Sequence, residues 1–464
     1  MGRRAVRAFV AVLGSVWAFG CADAGHAPPD APSLLLVSLD TVRADHTSLL
    51  GYGRPTTPRL DRLASEGVSF RRAYAMTSTT GPSHATLFTG RYAPAHGVDR
   101  NGVSLPAAAL TLAERLEARG YRTGGILGSF VLAGRFGFGQ GFGDWDDAFE
   151  RESSSLPMKT WQGHEVPAEG FDRAGAETTR RAVDWLEANA DDAPFFLFVH
   201  YFDAHEPYTP RSNDLARLAP APLGAVIPAD RAAEVEAYDA EIAGVDREVG
   251  ALLDALDALG LAARTLVVVA SDHGQGLTDH DDAHHSVNVY EESVRGVLVF
   301  RGPGVAPPGR ASDAPVEAVD VLPTLLDLLG LDGGDDVLDL PGRSLAGYLE
   351  GRAELAAERP VFVYRQRYAS RRRVRHAMVD GAQFGVRLGP WKYIEGDRDG
   401  RRELYDLASD PGETRNLARE RPDRAAELRA RVHVWRAANP PPGAPAAPIS
   451  EDDRARLRAL GYVE

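Results

Sequence analysis

The chain contains one cysteine, Cys21, and two lysines, Lys159 and Lys392, among 464 residues. A single cysteine excludes an internal disulfide, so the fold has to be held by packing. With lysine almost absent, arginine carries nearly all the positive charge. Acidic side chains still outnumber basic ones by 66 to 52, a net charge of −14. No long basic run offsets this balance, and the chain has no nucleic-acid-binding signature. No internal repeat is visible. The apolar run from Ala8 to Gly20 is too short to cross a bilayer core of about 30 Å.

That run does have another reading. Arg3, Arg4 and Arg7 precede it, the arrangement of a signal peptide. Cys21 directly follows Ala18-Phe19-Gly20, and a small residue before cysteine at the end of such a run matches a bacterial lipoprotein processing site. Residues 1–21 are therefore expected to be a leader for export to the periplasm or cell envelope. Either Cys21 carries a lipid anchor, the chain's one route to a membrane, or ordinary cleavage occurs nearby. Removing the leader takes away three arginines and no acid. Residues 22–33, rich in Pro and Ala, form a linker.

With 44% hydrophobic and 25% charged residues, the remainder is globular. From residue 34 to 352 short apolar runs alternate with helical periodicity. "SLLLVSLD", "GYRTGGIL", "APFFLFVHYF", "ARTLVVVASDHG" and "RGVLVFRGPG" have the composition of strands. Between them, Val235, Tyr238, Ile242, Val245, Val249, Leu252 and Leu256 repeat at the helical period. Thr111 and Glu114 are spaced as a capping box. The pattern predicts an α/β domain, with a large, mostly parallel sheet between helices. From 353 to 438 the rhythm changes to shorter strand-like runs, "RPVFVYRQRY" and "GPWKYIEG", which predict a smaller C-terminal α+β domain. Residues 439–464 read as a Pro/Ala linker and a terminal helix.

The polar residues at strand ends suggest chemistry. Asp40 follows the first strand, Asp203 and His205 follow "FFLFVHYF", and Asp272 and His273 follow "TLVVVAS". The loop "TSTTGPSH" supplies Thr80, Ser83 and His84 ahead of a helix. In an open α/β sheet the carboxyl ends of the strands share one crevice, so these residues can converge. Singly, each is more often a helix cap, a turn former or a core histidine. Jointly, two carboxylates, an imidazole and a hydroxyl make a divalent-metal site, and coordination is one way to activate a threonine hydroxyl.

The chain resembles the sulfatase family of the alkaline phosphatase superfamily over roughly residues 33–425. The run Thr80-Gly81-Pro82-Ser83-His84, then Thr89-Gly90-Arg91 and His96-Gly97-Val98, is similar to the family's Cys/Ser-any-Pro-Ser-Arg and Thr-Gly-Arg signature. "LLLVSLDTVRADHTSLLGYG", "HYFDAHEPY", "ASDHGQGL", "HHSVNVYEESVRGVLVFRGPG" and "ELYDLASDPGETRNLA" resemble its other motifs, in order. The resemblance implies an alkaline-phosphatase-like fold and a metal-dependent ester hydrolase acting on an anionic substrate. It places Thr80 at the nucleophile position and one divalent ion (calcium, zinc or manganese) on Asp40, Thr80, Asp272 and His273. It gives His84, His205 and His285 catalytic positions contacting the anion or the leaving oxygen. Of the adjacent pair His284 and His285, the spacing to Tyr290 favours His285. Asp203 is either a further ligand or a turn residue, and Arg43, Arg91 and Lys392 read as scaffold, with the substrate rim as an alternative for Lys392.

The sequence departs from the family in three places. Thr80 stands where sulfatases have the Cys or Ser that is oxidised to formylglycine, and threonine cannot form that aldehyde because its Cβ already bears a methyl. Asp40-Thr41 replaces Asp-Asp. The Gly-Lys-Trp-His run is absent, its place taken by "GYRTGGILGSF", where Ser129 can offer no more than a hydrogen bond. The first two, with His84 where sulfatases have Arg, resemble the threonine enzymes of the superfamily, among them the nucleotide pyrophosphatase/phosphodiesterases; the third weakens the likeness to sulfatases. They predict phosphodiester or phosphonate ester hydrolysis through Thr80. The alternatives are a sulfuric ester hydrolase without formylglycine and a non-catalytic binding protein that keeps the fold and the metal.

Overall fold

The computed structural model describes residues 27, 31–149, 160–161, 164–165, 170–189, 194–218, 231–331, 339–374, 377–440 and 450–459. The expected leader, Cys21, most of the following linker and Lys159 lie outside the described residues. No described helix is long and apolar enough to cross a membrane.

Eight strands form the central sheet: β1 (Ser33–Leu39), β2 (Val68–Phe70), β3 (Arg122–Ile126), β4 (Asp144–Asp146), β5 (Phe195–Tyr201), β6 (Thr265–Ser271), β7 (Leu298–Arg301) and β8 (Arg310–Ser312). Their order across the sheet is β8-β2-β7-β6-β1-β5-β3-β4. The three central strands β5, β1 and β6 run parallel. β7 runs antiparallel to both β6 and β2, so the sheet is mixed. β1 and β5 are buried throughout, as strands packed on both faces require, and this explains their near-continuous apolar sequence.

Two long helices cover one face: α2 (Gly175–Asn189) and α3 (Ala232–Ala258). All seven apolar residues of the α3 repeat are buried, and with Leu35, Val37, Leu197, Val199 and Val267 of the sheet they form one core. The opposite face is covered by α1 (Thr80–Thr89) and neighbouring segments, whose Ala85, Leu87 and Phe88 pack on Leu34, Leu36, Phe196 and Phe198. The capping box forms as the sequence predicts, Thr111 and Glu114 bonding reciprocally at the start of Leu112–Glu117.

The C-terminal region is a four-stranded antiparallel sheet: β9 (Val361–Val374), β10 (Ala377–Leu388), β11 (Trp391–Gly396) and β12 (Arg402–Asp406). Helix α4 (Pro422–Ala438) packs on it through Leu428, Val432 and Trp435. Tyr364 of β9 donates its backbone N–H to the Met76 carbonyl at 2.8 Å, tying this sheet to the chain just ahead of α1.

Candidate active site

The sheet sets two carboxylates side by side. β1 and β6 are parallel neighbours with Leu39 opposite Ser271, so Asp40 and Asp272 emerge together at the carboxyl edge. On the other side β5 aligns His200 with Ser38, and His200 Nε2 lies 3.1 Å from Asp40 Oδ2. Asp272 Oδ1 accepts the N–H groups of Thr41 (3.1 Å) and His273 (2.6 Å). Thr41 reaches it from a left-handed conformation, φ 57°, which costs a threonine on the order of 1 kcal/mol.

Asp40 Oδ1 and Asp272 Oδ2 are buried and have no hydrogen-bond partner. Asp40, Asp272 and His273 each present a ligand atom, all within 4.8 Å of one another. Burial pushes the Asp40 carboxyl above its ordinary value, opposed by His273, His205 and the Thr80 hydroxyl. Burial likewise raises Asp272, and the neighbouring Asp40 charge adds to it. Two bare carboxylate oxygens beside an imidazole in a dry site fit a divalent cation, which would relieve both penalties.

Thr80 opens α1, whose ten residues are all buried, and its Oγ1 lies 3.2 Å from His273 Nε2. The Gly81 N–H donates to Asn101 Oδ1 at 2.7 Å. A Cβ at position 81 would sit 2.9 Å from that oxygen, so the close approach of Asn101 requires glycine there. Pro82, in the first helical turn, gives up an N–H that has no intrahelical acceptor. The Ser83 hydroxyl donates to the Asp272 carbonyl and fastens the helix to β6.

The histidines divide into two groups. His84 lies against the site, its Nδ1 3.7 Å from Asp272 Oδ2. It is fully buried, its Nδ1 lies 2.8 Å from the Thr80 carbonyl and its Nε2 2.8 Å from Ser38 Oγ. Burial pushes it down to about 3, so it stays neutral, and with both nitrogens engaged it positions Thr80 rather than exchanging protons. The other group lines a wall. The rings of His273 and His285 are 4.9 Å apart, as are those of His285 and His205. His205 stacks on Phe202 at 4.3 Å and its Nδ1 is held by the Glu206 carbonyl; His285 Nδ1 is held by Gln275 Oε1 at 2.9 Å. Its neighbour His284 pairs with the Glu206 carboxylate instead.

The remaining candidates are structural. Asp203 accepts the Gly175 N–H at 2.7 Å at the start of α2, and burial raises its carboxyl to about 6. Arg43 is buried between Asp45 (2.7 Å) and Asp279 (2.9 Å). Lys392 lies 3.1 Å from both Glu291 and Glu413. Ser129 Oγ accepts the Val131 N–H. Two site residues escaped the sequence reading. His200 is the one charged-type side chain inside an apolar buried strand, a signal that was present. Asn101 lies in a turn 21 positions after Thr80, and nothing local distinguishes it.

Residues 32–331 match the Sulfatase family model, and residues 284–436 match the model for the C-terminal region of N-sulphoglucosamine sulphohydrolase. The ulvan-active sulfatase of Formosa agariphila is 31% identical over 341 residues, which span 67% of this chain and 65% of that protein. A solved structure in complex with its substrate D-glucosamine-2-N,6-O-disulfate aligns with a TM-score of 0.71 at 22% identity, over 88% of this chain and 98% of the other. The phosphonate monoester hydrolase of Agrobacterium radiobacter aligns with a TM-score of 0.70 at 24% identity, over 88% and 96%. The fold is thus alkaline-phosphatase-like, and the chain belongs to the sulfatase family of hydrolases.

Proposed function

We propose that this sulfatase-family hydrolase cleaves phosphodiesters or phosphonate monoesters, with Thr80 as nucleophile and one divalent ion held by Asp40, Thr80, Asp272 and His273. The observation that carries this reading is the Thr80 hydroxyl, 3.2 Å from His273 at the start of a buried helix, on a residue whose Cβ methyl forbids formylglycine. The ion, when bound, lowers the pKa of that hydroxyl and neutralises charge on the ester oxygens. Thr80 Oγ1 then attacks the phosphorus. The bond to the leaving alkoxide breaks, and a protonated imidazole of the His205–His285 wall supplies its proton. The same imidazole, now neutral, takes a proton from the water that attacks the phospho-threonine, and the departing Thr80 oxygen regains from solvent the proton it gave up on attack. The amide of Asn101 and the positive end of α1 stabilise the non-bridging oxygens. Among the described residues the one lysine, Lys392, is sealed between two glutamates away from this site, which favours monoanionic esters over dianionic monoesters.

A second reading, sulfate ester hydrolysis by Thr80 without formylglycine, is favoured by the sulfatase names among the relatives. Comparing kcat/KM for matched aryl phosphodiester, phosphonate and sulfate esters, in wild type and Thr80→Ala and with several metals, separates the two. A phosphorus ester is expected to lead, with activity lost on chelation and in Thr80→Ala. A tenfold preference for the sulfate ester would establish the second reading, and a wild-type rate in Thr80→Ala would remove both. The same reading places the protein outside the cytoplasm through residues 1–21; unchanged membrane fractionation of Cys21→Ala would exclude the lipid anchor.

A further inference from the structure

Three imidazoles of the crevice are held through the same ring nitrogen. His273 Nδ1 lies 2.8 Å from the Gly274 carbonyl, His205 Nδ1 2.6 Å from the Glu206 carbonyl, and His285 Nδ1 2.9 Å from Gln275 Oε1. A backbone carbonyl can only accept, so on His273 and His205 the Nδ1 atom keeps its proton and Nε2 is left to ligate or react. His285 differs, because its partner is a side-chain amide. Such an amide offers an oxygen acceptor or, turned over, a nitrogen donor. Turned over, it would move the single proton of the neutral ring from Nδ1 to Nε2.

The surroundings of Gln275 decide between the two. Its backbone is fixed: the N–H donates to the Glu292 carbonyl at 3.1 Å, and the carbonyl accepts from Arg43 at 3.1 Å. The amide Nε2 lies 3.3 Å from Glu206 Oε2 and 3.0 Å from the Tyr208 hydroxyl. His284 Nδ1 pairs with the same carboxylate oxygen. A carboxylate only accepts, and both Gln275 and Glu206 are buried. Turning the amide would set its oxygen against that carboxylate where no bulk water screens the two. Gln275 therefore meets Glu206 with its nitrogen and His285 with its oxygen. One residue thus holds both histidines of the wall, His205 through the Glu206 carbonyl and His285 through the Glu206 carboxylate and Gln275.

We propose that Glu206 and Gln275 are positioning residues that fix the Nδ1–H tautomer of His285, so that its Nε2, like that of His205, is the atom that exchanges protons. The proposal rests on the ester-hydrolase reading. Nε2 gives its proton to the leaving oxygen and, once neutral, takes one from the attacking water, while the Nδ1 proton stays hydrogen-bonded to Gln275. The tautomer itself is read without turnover, by long-range proton–nitrogen NMR on protein labelled at histidine, at alkaline pH with the ring neutral. His285→Gln identifies the signals. The variants are Gln275→Met, which keeps the length and removes the acceptor, Gln275→Glu, both of whose oxygens accept, and Glu206→Gln, which lets the amide turn.

Wild type and Gln275→Glu are expected to carry the His285 proton on Nδ1, Gln275→Met mainly on Nε2, and Glu206→Gln on a mixture of the two. His205, tied to a backbone carbonyl, is expected to stay protonated on Nδ1 throughout, which a merely disordered site would not preserve. On an ester that wild type hydrolyses, Gln275→Met is expected to lower kcat at least about tenfold with KM within about twofold, and Gln275→Glu to recover most of the loss. A wild-type His285 protonated on Nε2, a tautomer unmoved in both Gln275→Met and Glu206→Gln, or an undiminished kcat in Gln275→Met would overturn the proposal. Should the tautomers follow the expected pattern while no ester is hydrolysed, the hydrolase reading fails and the fixing of His285 by Gln275 stands.

Discussion

Asp40 has two oxygens with different duties. One is fixed by His200, the other is buried with no hydrogen-bond partner. In the proposed metal site His200 would orient a ligand without binding the ion itself, and partners of this kind typically contribute 10–100-fold in metal affinity. His200→Ala is accordingly expected to weaken divalent-ion binding by about that factor in a calorimetric titration, and His200→Gln, which keeps a donor, to recover part of it. A second histidine makes stability depend on pH. Burial opposes charge on His280, but the Glu292 carboxylate at 2.9 Å outweighs it and lifts the imidazole to about 9. Because the folded value lies above the unfolded one, the pair's contribution is complete below about pH 6.5 and fades as the pH rises through 9. The gap in stability between wild type and His280→Gln is expected to be about 1–2 kcal/mol at pH 6, partial exposure screening the pair, and to close by pH 10. Thermal melts across that range measure it.

At the scale of elements, periodicity carried most of the information. The repeat in α3 and the apolar runs of β1, β5 and β6 state their burial directly, because a helix face and a two-sided strand each impose one pattern. The convergence of Asp40, Asp272 and His273 followed from their places after strands. Less legible was anything set by contact across the chain. His84 occupies a motif position one turn after Thr80, yet its role depends on Ser38, 46 residues away. Asn101 owes its place to the path between α1 and β3, which no local pattern encodes. The stop of α1 is set by Gly90, which takes φ 65° at its end. A Cβ there would also meet Leu322 at 2.9 Å. Gly90→Ala is expected to lower stability by about 1–3 kcal/mol in denaturant unfolding, with the helix that carries Thr80 disturbed.

At the scale of the whole molecule, the C-terminal sheet is tied to the helical turn Glu291–Val294 by a buried ionic contact. Lys392 of β11 is 1% exposed and lies 3.1 Å from Glu291 and from Glu413. Burial raises the Glu413 carboxyl to about 8, while Lys392 holds Glu291 below its ordinary value against its own burial. Lys392→Met leaves the two acids without their cation and is expected to cost about 3–5 kcal/mol near neutral pH. The deficit should narrow as the pH falls and the acids take up protons, which melting temperatures of the variant at pH 5 and pH 8 will reveal.

The order of strands in the central sheet also sets a timetable. Among the described strands β1 comes first in the chain and ends up in the middle, yet its two partners are Phe195–Tyr201 and Thr265–Ser271. Until Phe195–Tyr201 has been made this apolar strand has neither partner, and it lacks the second until Thr265–Ser271 follows. Non-local pairing of this kind is slow, and it exposes an aggregation-prone edge in the meantime. A chain terminated before Thr265 would pair β1 with Phe195–Tyr201 on one side only and leave its other edge open.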